Sequence, residues 1–80
     1  MTATRRLGHP VPVTVRAAED GQPVEVDGIA VEGTIESWLI EDRWWTPRPL
    51  RRRYWEVLTV DGRARVVFRD LVTGTWFAQR

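Results

Sequence analysis

Eighty residues with no cysteine, one histidine and twelve arginines against eleven carboxylates make one small domain that no disulfide or thiolate zinc site can staple. The net charge of +1 hides a division: residues 1–42 hold three arginines and eight carboxylates, whereas residues 43–80 hold nine arginines and three carboxylates. The start MTATRRLGHPVPV lacks the apolar run of a secretory signal, and no stretch approaches the roughly twenty apolar residues that span a bilayer. A cytoplasmic location away from any membrane is the expectation.

At this size folding buries only about two-thirds of the unfolded surface, so large rings are the economical core filler, each burying roughly 150–250 Å². The chain carries five tryptophans, two phenylalanines and one tyrosine. Residues 1–10 read as a flexible arm and residues 11–80 as a single β domain.

From Val11 the sequence VPVTVRA alternates, with Val11, Val13 and Val15 on one face of a strand whose proline places it at a sheet edge. Asp20-Gly21 and Asp27-Gly28 carry hairpin chemistry, since Gly supplies the positive φ that a tight reversal needs. Between and after them lie short strands with Val24, Val26, Ile29 and Val31 inward, and Gly33 closes that unit. A further strand runs from Thr34 to about Trp45, favoured by β-branched and aromatic residues; a helix over residues 36–45 is the alternative. Trp38, Ile40, Asp42 and Trp44 share one side of that strand, and both sides are mixed in character, which predicts a bulge or strong twist.

Two prolines make TPRPL (46–50) a stiff connector that continues neither helix nor central strand. RRRYWEVLTV and RARVVFRD then flank Asp61-Gly62 as the clearest hairpin. A two-residue loop pairs Val60 with Arg63, Val57 with Val66 and Trp55 with Phe68 as an apolar face, and sets Tyr54 opposite Arg69 on a wetter one. DLVTG reverses the chain through Asp70 and Gly74, and TWFAQR ends it with Trp76 and Ala78 inward. The fold class is therefore all-β: a small antiparallel meander of six or seven short strands forming a barrel or roll.

Residues 38–55, WLIEDRWWTPRPLRRRYW, concentrate rings and guanidinium groups. DRWWTPRPLRRRYWEV and FRDLVTGTWFAQR resemble a bacterial domain-of-unknown-function family of small β-rich proteins. They are also similar to the C-terminal segment of the inactive Y-family polymerase-like subunit of the bacterial mutasome. The resemblance covers residues 34–80 well and 10–33 in outline. It implies a setting in DNA repair or induced mutagenesis, as an adaptor that meets a protein partner of that machinery. It transfers no active-site residue and no cofactor.

The candidate binding surface is Arg43, Trp45, Arg48, Arg51, Arg52, Arg53 and Tyr54. Guanidinium groups suit phosphates and rings suit stacked bases, so direct binding of single-stranded DNA or nucleic-acid backbone is the alternative to a protein partner. The plain alternative to both is a solvated strand whose arginines pair with Glu36, Glu41 or Asp42. The acidic first half also permits self-association with the basic second half of another copy. Catalysis is not expected: Glu41 and Asp42 diverge on a strand, His9 lies in the arm, and no glycine-rich phosphate loop is present. No metal or cofactor is expected either.

Overall fold

A computed structural model of the chain describes residues 9–42, 45–47 and 49–79. Among them are seven strands and no helix: β1 (Pro10–Pro12), β2 (Val15–Ala17), β3 (Pro23–Val26), β4 (Ile29–Asp42), β5 (Leu50–Thr59), β6 (Ala64–Asp70) and β7 (Trp76–Gln79). All neighbours are antiparallel, in the order β1-β7-β6-β5-β4-β3-β2. The meander is as expected, and its closure comes from the first stretch of chain. β1 pairs with β7 and β2 pairs with β3, with only Val13 and Thr14 between them. The sheet curls until both of its end strands share that stretch, which gives a half-barrel; β3 covers only the start of β4 at Ile29 and Ala30, so among the described residues the rest of β4 pairs on its β5 side alone.

The expected continuous strand from Val11 to Arg16 is thus two strands. At the break Val13 N donates to Trp76 O (3.3 Å), whereas Thr14 N donates to Asp27 Oδ1 (2.9 Å) and Thr14 O accepts from Asp27 N (2.7 Å). One short segment serves two partners by changing sides there. Pro10 already belongs to β1, so the β domain starts inside the expected arm; residues 1–8 lie outside the described residues.

Asp27 (φ 48°) and Gly28 (φ 82°) form the two-residue loop between Val26 and Ile29, as the Asp-Gly signal predicts. Gly33 does not end a strand. β4 runs through it for 14 residues, with bulges between Val31 and Gly33 and between Thr34 and Glu36. The second of these lies in the strand for which a bulge or strong twist was expected. Each extra residue resets which side the chain shows next, which is why Val31, Thr34 and Ser37 face the same way.

The β5–β6 hairpin corrects the expected register by one residue. Thr59 N donates to Arg63 O (2.9 Å) and Gly62 N to Thr59 O (2.8 Å), so the loop is Val60-Asp61-Gly62, with Gly62 at φ 82°. The three-residue loop sets Tyr54 opposite Phe68, Trp55 opposite Val67 and Val57 opposite Arg65. A one-residue slip exchanges the faces of one strand relative to its partner. Trp55 and Phe68, expected together, therefore lie on opposite faces of the sheet.

Inside the curl, Val26, Trp55, Val57 and Val67 are buried, with Val13, Val15, Val31, Trp76 and Ala78 packed against them. Trp76 and Ala78 point inward as predicted. On the outer face four rings cross four strands: Trp38 to Tyr54 (5.3 Å between centroids), Tyr54 to Phe68 (4.9 Å) and Phe68 to Phe77 (5.2 Å). The ladder is a second apolar layer, and Phe68 within it is only 1% exposed.

Candidate functional site

Of the seven residues of the predicted surface five are described, and the four on β5 divide between the two faces of the sheet. Tyr54, expected to be accessible for stacking, is buried at 7% exposure between Trp38 and Phe68, because the corrected register turns it into the outer ladder. Arg52 shares that face. Its guanidinium carbon lies 4.6 Å from the Phe68 ring centroid, and Nη1 reaches Tyr54 Oη at 3.4 Å. Arg51 and Arg53 alternate to the inner face, as their spacing predicts. Trp45 stands 67% exposed in the connector. Arg43 and Arg48, with Trp44, lie outside the described residues.

The described arginines sort by their partners. Arg51 is held by Glu41, the residue opposite it on β4, at 2.9 Å. Arg16 lies 3.7 Å from Glu25, and Arg63 lies 4.0 Å from Asp61. Arg65 reaches Asp61 Oδ2 at 3.0 Å and Thr59 Oγ1 at 3.2 Å. Asp61 also accepts the Thr59 hydroxyl. That bond first, then the Arg65 side chain and the Arg63 amide, hold the Asp61 carboxyl below its ordinary 3.8 against the opposing effect of desolvation. These arginines are fastened to the scaffold.

Arg53 and Arg69 differ. They face each other directly across β5 and β6, on the inner side, where opposed Cβ atoms lie about 4.5–5.5 Å apart. Among the described residues neither has a carboxylate partner within ion-pair distance. Arg69 is positioned by the β6–β7 turn: its Nε donates to Gly74 O (3.4 Å), and its guanidinium carbon stands 6.0 Å from the Trp76 ring centroid. That turn is itself held by Asp70 Oδ1, which accepts from Val72 N (2.9 Å) and Thr73 N (3.2 Å). Leu39, opposite Arg53 on β4, is 44% exposed.

Two like charges placed directly opposite on a sheet repel, and their side chains part: Arg69 turns toward Gly74 and Trp76 and Arg53 toward the β2–β3 turn and β4, so each guanidinium is suited to an anionic group of its own along the inner face. Beside Arg53 opens a cleft of about 310 Å³, lined also by Asp20, Gln22, Thr34, Ser37 and Trp55. Sequence reading missed Arg69 because the assumed two-residue loop put Tyr54 opposite it. The Thr59 to Arg63 closure was the signal, and sequence spacing alone does not distinguish a two- from a three-residue loop around Asp-Gly. Arg53 and Trp55 belong to the basic segment, whereas Asp20, Gln22, Thr34 and Ser37 come from the β2–β3 turn and β4 outside it and carried no binding motif.

No family model matches the chain, and no curated protein or solved structure matches it significantly.

Among the described residues no group of three His, Cys, Asp or Glu side chains is placed to hold a metal ion, and no helix is long and apolar enough to cross a membrane.

Proposed function

We propose that this domain is a non-catalytic binding module that holds the phosphates of a single-stranded nucleic acid on the inner face of its curled sheet, as an accessory to DNA repair or induced mutagenesis. The observation that carries the reading is the Arg53–Arg69 pair, opposed across β5 and β6 with no carboxylate within ion-pair distance among the described residues. Guanidinium forks recognise phosphate oxygens in two-point fashion, and the exposed Leu39 with the half-buried Trp76 offers apolar area beside them for sugar and base. The repair setting comes from the resemblance of residues 34–80 and agrees with a strand-binding role.

Anisotropy of labelled single-stranded oligonucleotides, titrated at several salt concentrations, tests this. Each phosphate contact on a single strand contributes about 0.7 to the slope of log K against log salt, so Arg53→Ala with Arg69→Ala lowers the slope by about 1.4. Absence of binding at low salt, or an unchanged slope in the double variant, overturns the proposal. A second reading is supported by Trp45, 67% exposed in a connector that Pro47 and Pro49 stiffen: an indole presented this way suits an anchor for a protein partner of the repair machinery. In that case Trp45→Ala abolishes co-purification with a purified polymerase or clamp component, and the arginine variants do not.

A further inference from the structure

The phosphate pair accounts for the inner rim of the sheet but leaves the adjoining cleft without a role. Its walls come from three places: Asp20 and Gln22 from the β2–β3 turn, Thr34 and Ser37 from β4, and Arg53 and Trp55 from β5. The volume of about 310 Å³ lies at the lower end of the range for small-molecule sites. That space suits one nucleotide unit and not a folded partner. Trp55 is the one ring among the lining residues, and it is fixed by the core: 6% exposed, with its ring centroid 5.0 Å from that of Trp76.

The polar groups at the rim are only loosely committed to one another. Thr34 Oγ1 donates to Gln22 Oε1 at 3.3 Å and Gln22 Nε2 donates to Asp20 Oδ2 at 3.4 Å, both beyond the usual range for good hydrogen bonds. Gln22 N donates to Asp20 Oδ1 at 3.1 Å, which ties the carboxylate to its own turn through one oxygen. The other oxygen has only the long Gln22 contact, and the Ser37 hydroxyl has no partner among the described residues. A carboxylate accepts and never donates when ionised, so the edge it reads has to present N–H groups.

Resting on the phosphate-binding proposal, we infer that the cleft receives one base of the bound strand, and that Asp20 makes guanine the preferred base there. Unpaired bases in single strands are read along their Watson–Crick edges. Guanine presents two adjacent donors on that edge, N1–H and the N2 amino group, which match a carboxylate; thymine and hypoxanthine present one. The base enters between Gln22 and Ser37 with its ring toward Trp55, while its own phosphate lies on Arg53 and a neighbouring phosphate on Arg69. The cleft thus turns a sequence-tolerant grip into one with a preferred position.

The test uses the full chain and four oligothymidylate probes that differ at one central position: guanine, hypoxanthine, thymine or an abasic sugar, each made as DNA and as RNA. Loss of one hydrogen bond to a charged acceptor corresponds to about tenfold or more in affinity, so the guanine probe binds at least about tenfold tighter than the hypoxanthine probe. In Asp20→Asn the turn keeps an acceptor for Gln22 N, and the guanine preference disappears while phosphate-dependent binding persists. Ser37→Met, at an exposed strand position, fills the cleft and gives the same loss without touching the turn, so a misfolded Asp20 variant does not leave the question open. Equal binding of all four probes with a salt slope that still depends on Arg53 and Arg69 overturns the base site and leaves the phosphate reading standing. No binding by any probe overturns both. The DNA and RNA arms show which sugar the site accepts.

Discussion

Replacing Phe68 and Tyr54 with leucine, singly and together, separates the observed register from its one-residue alternative. The Phe68 ring is 1% exposed, lies 4.9 Å from Tyr54 and 5.2 Å from Phe77, and has the Arg52 guanidinium 4.6 Å from its centroid. Truncation to alanine there costs about 3–5 kcal/mol, a large share of the roughly 4–12 kcal/mol expected for a domain of this length. Leucine keeps most of the volume and removes the ring, so the variants stay folded enough to measure. A ring pair of this geometry couples by about 0.5–1.5 kcal/mol beyond area burial, and in a domain of this size one kilocalorie shifts the melting midpoint by about 4–8 °C. The Phe68–Tyr54 double-mutant cycle, read by urea and thermal unfolding, returns that coupling. The matching cycle with Trp55→Leu returns a value within the additive error of about 0.3–0.5 kcal/mol, because Trp55 lies on the other face of β5. A larger coupling of Phe68 to Trp55 than to Tyr54 refutes the three-residue loop, and with it the Arg53–Arg69 juxtaposition.

Three further outcomes concern Asp61, Gly28 and Gly33. The lowered carboxyl of Asp61 favours the folded state in its ionised form. Its contribution is complete above the ordinary value of 3.8 and is lost as pH falls through the lower folded value. The stability gap between the parent chain and Asp61→Asn is therefore widest near neutral pH and narrows below pH 3.8; a gap that stays constant in acid contradicts the assignment. Gly28 has φ 82° with nothing within 4 Å of an added Cβ, so Gly28→Val is penalised by backbone conformation alone, about 1–2 kcal/mol. Gly33 is equally uncrowded and outside the left-handed region, and Gly33→Ala is neutral or stabilising in the same melting assay.

Much of the architecture was legible in the sequence, for a local reason. Alternation at period two, β-branched and aromatic content, and Asp-Gly reversals are properties of neighbouring residues. They correctly indicated an antiparallel meander, the hairpin at Asp27-Gly28, the Asp70 turn, the inward Trp76 and Ala78, and the opposite facing of Arg51 and Arg52. They also indicated that β4 is irregular, though not where: Glu32 and Ile35 are ordinary strand residues, and only pairing with β5 shows them to be the extra ones.

The candidate site was not legible, because it depends on parity and closure. Whether Arg69 faces Arg53 or Tyr54 turns on a single residue in the loop after Thr59, and that one residue also decides that Tyr54 is buried and not presented. Whether the edges of the sheet meet depends on one stretch, residues 10–17, dividing its hydrogen bonds between β7 and β3. The sequence by itself determined the strands, the turns and the excess of arginine over carboxylate in the second half, since these follow from side-chain chemistry and short-range backbone preference. Only the tertiary structure decided which arginines are neutralised by Glu41, Glu25 and Asp61 and which two are left opposed beside a cleft, because like-charge proximity is set by cross-strand register, and register is a property of paired strands.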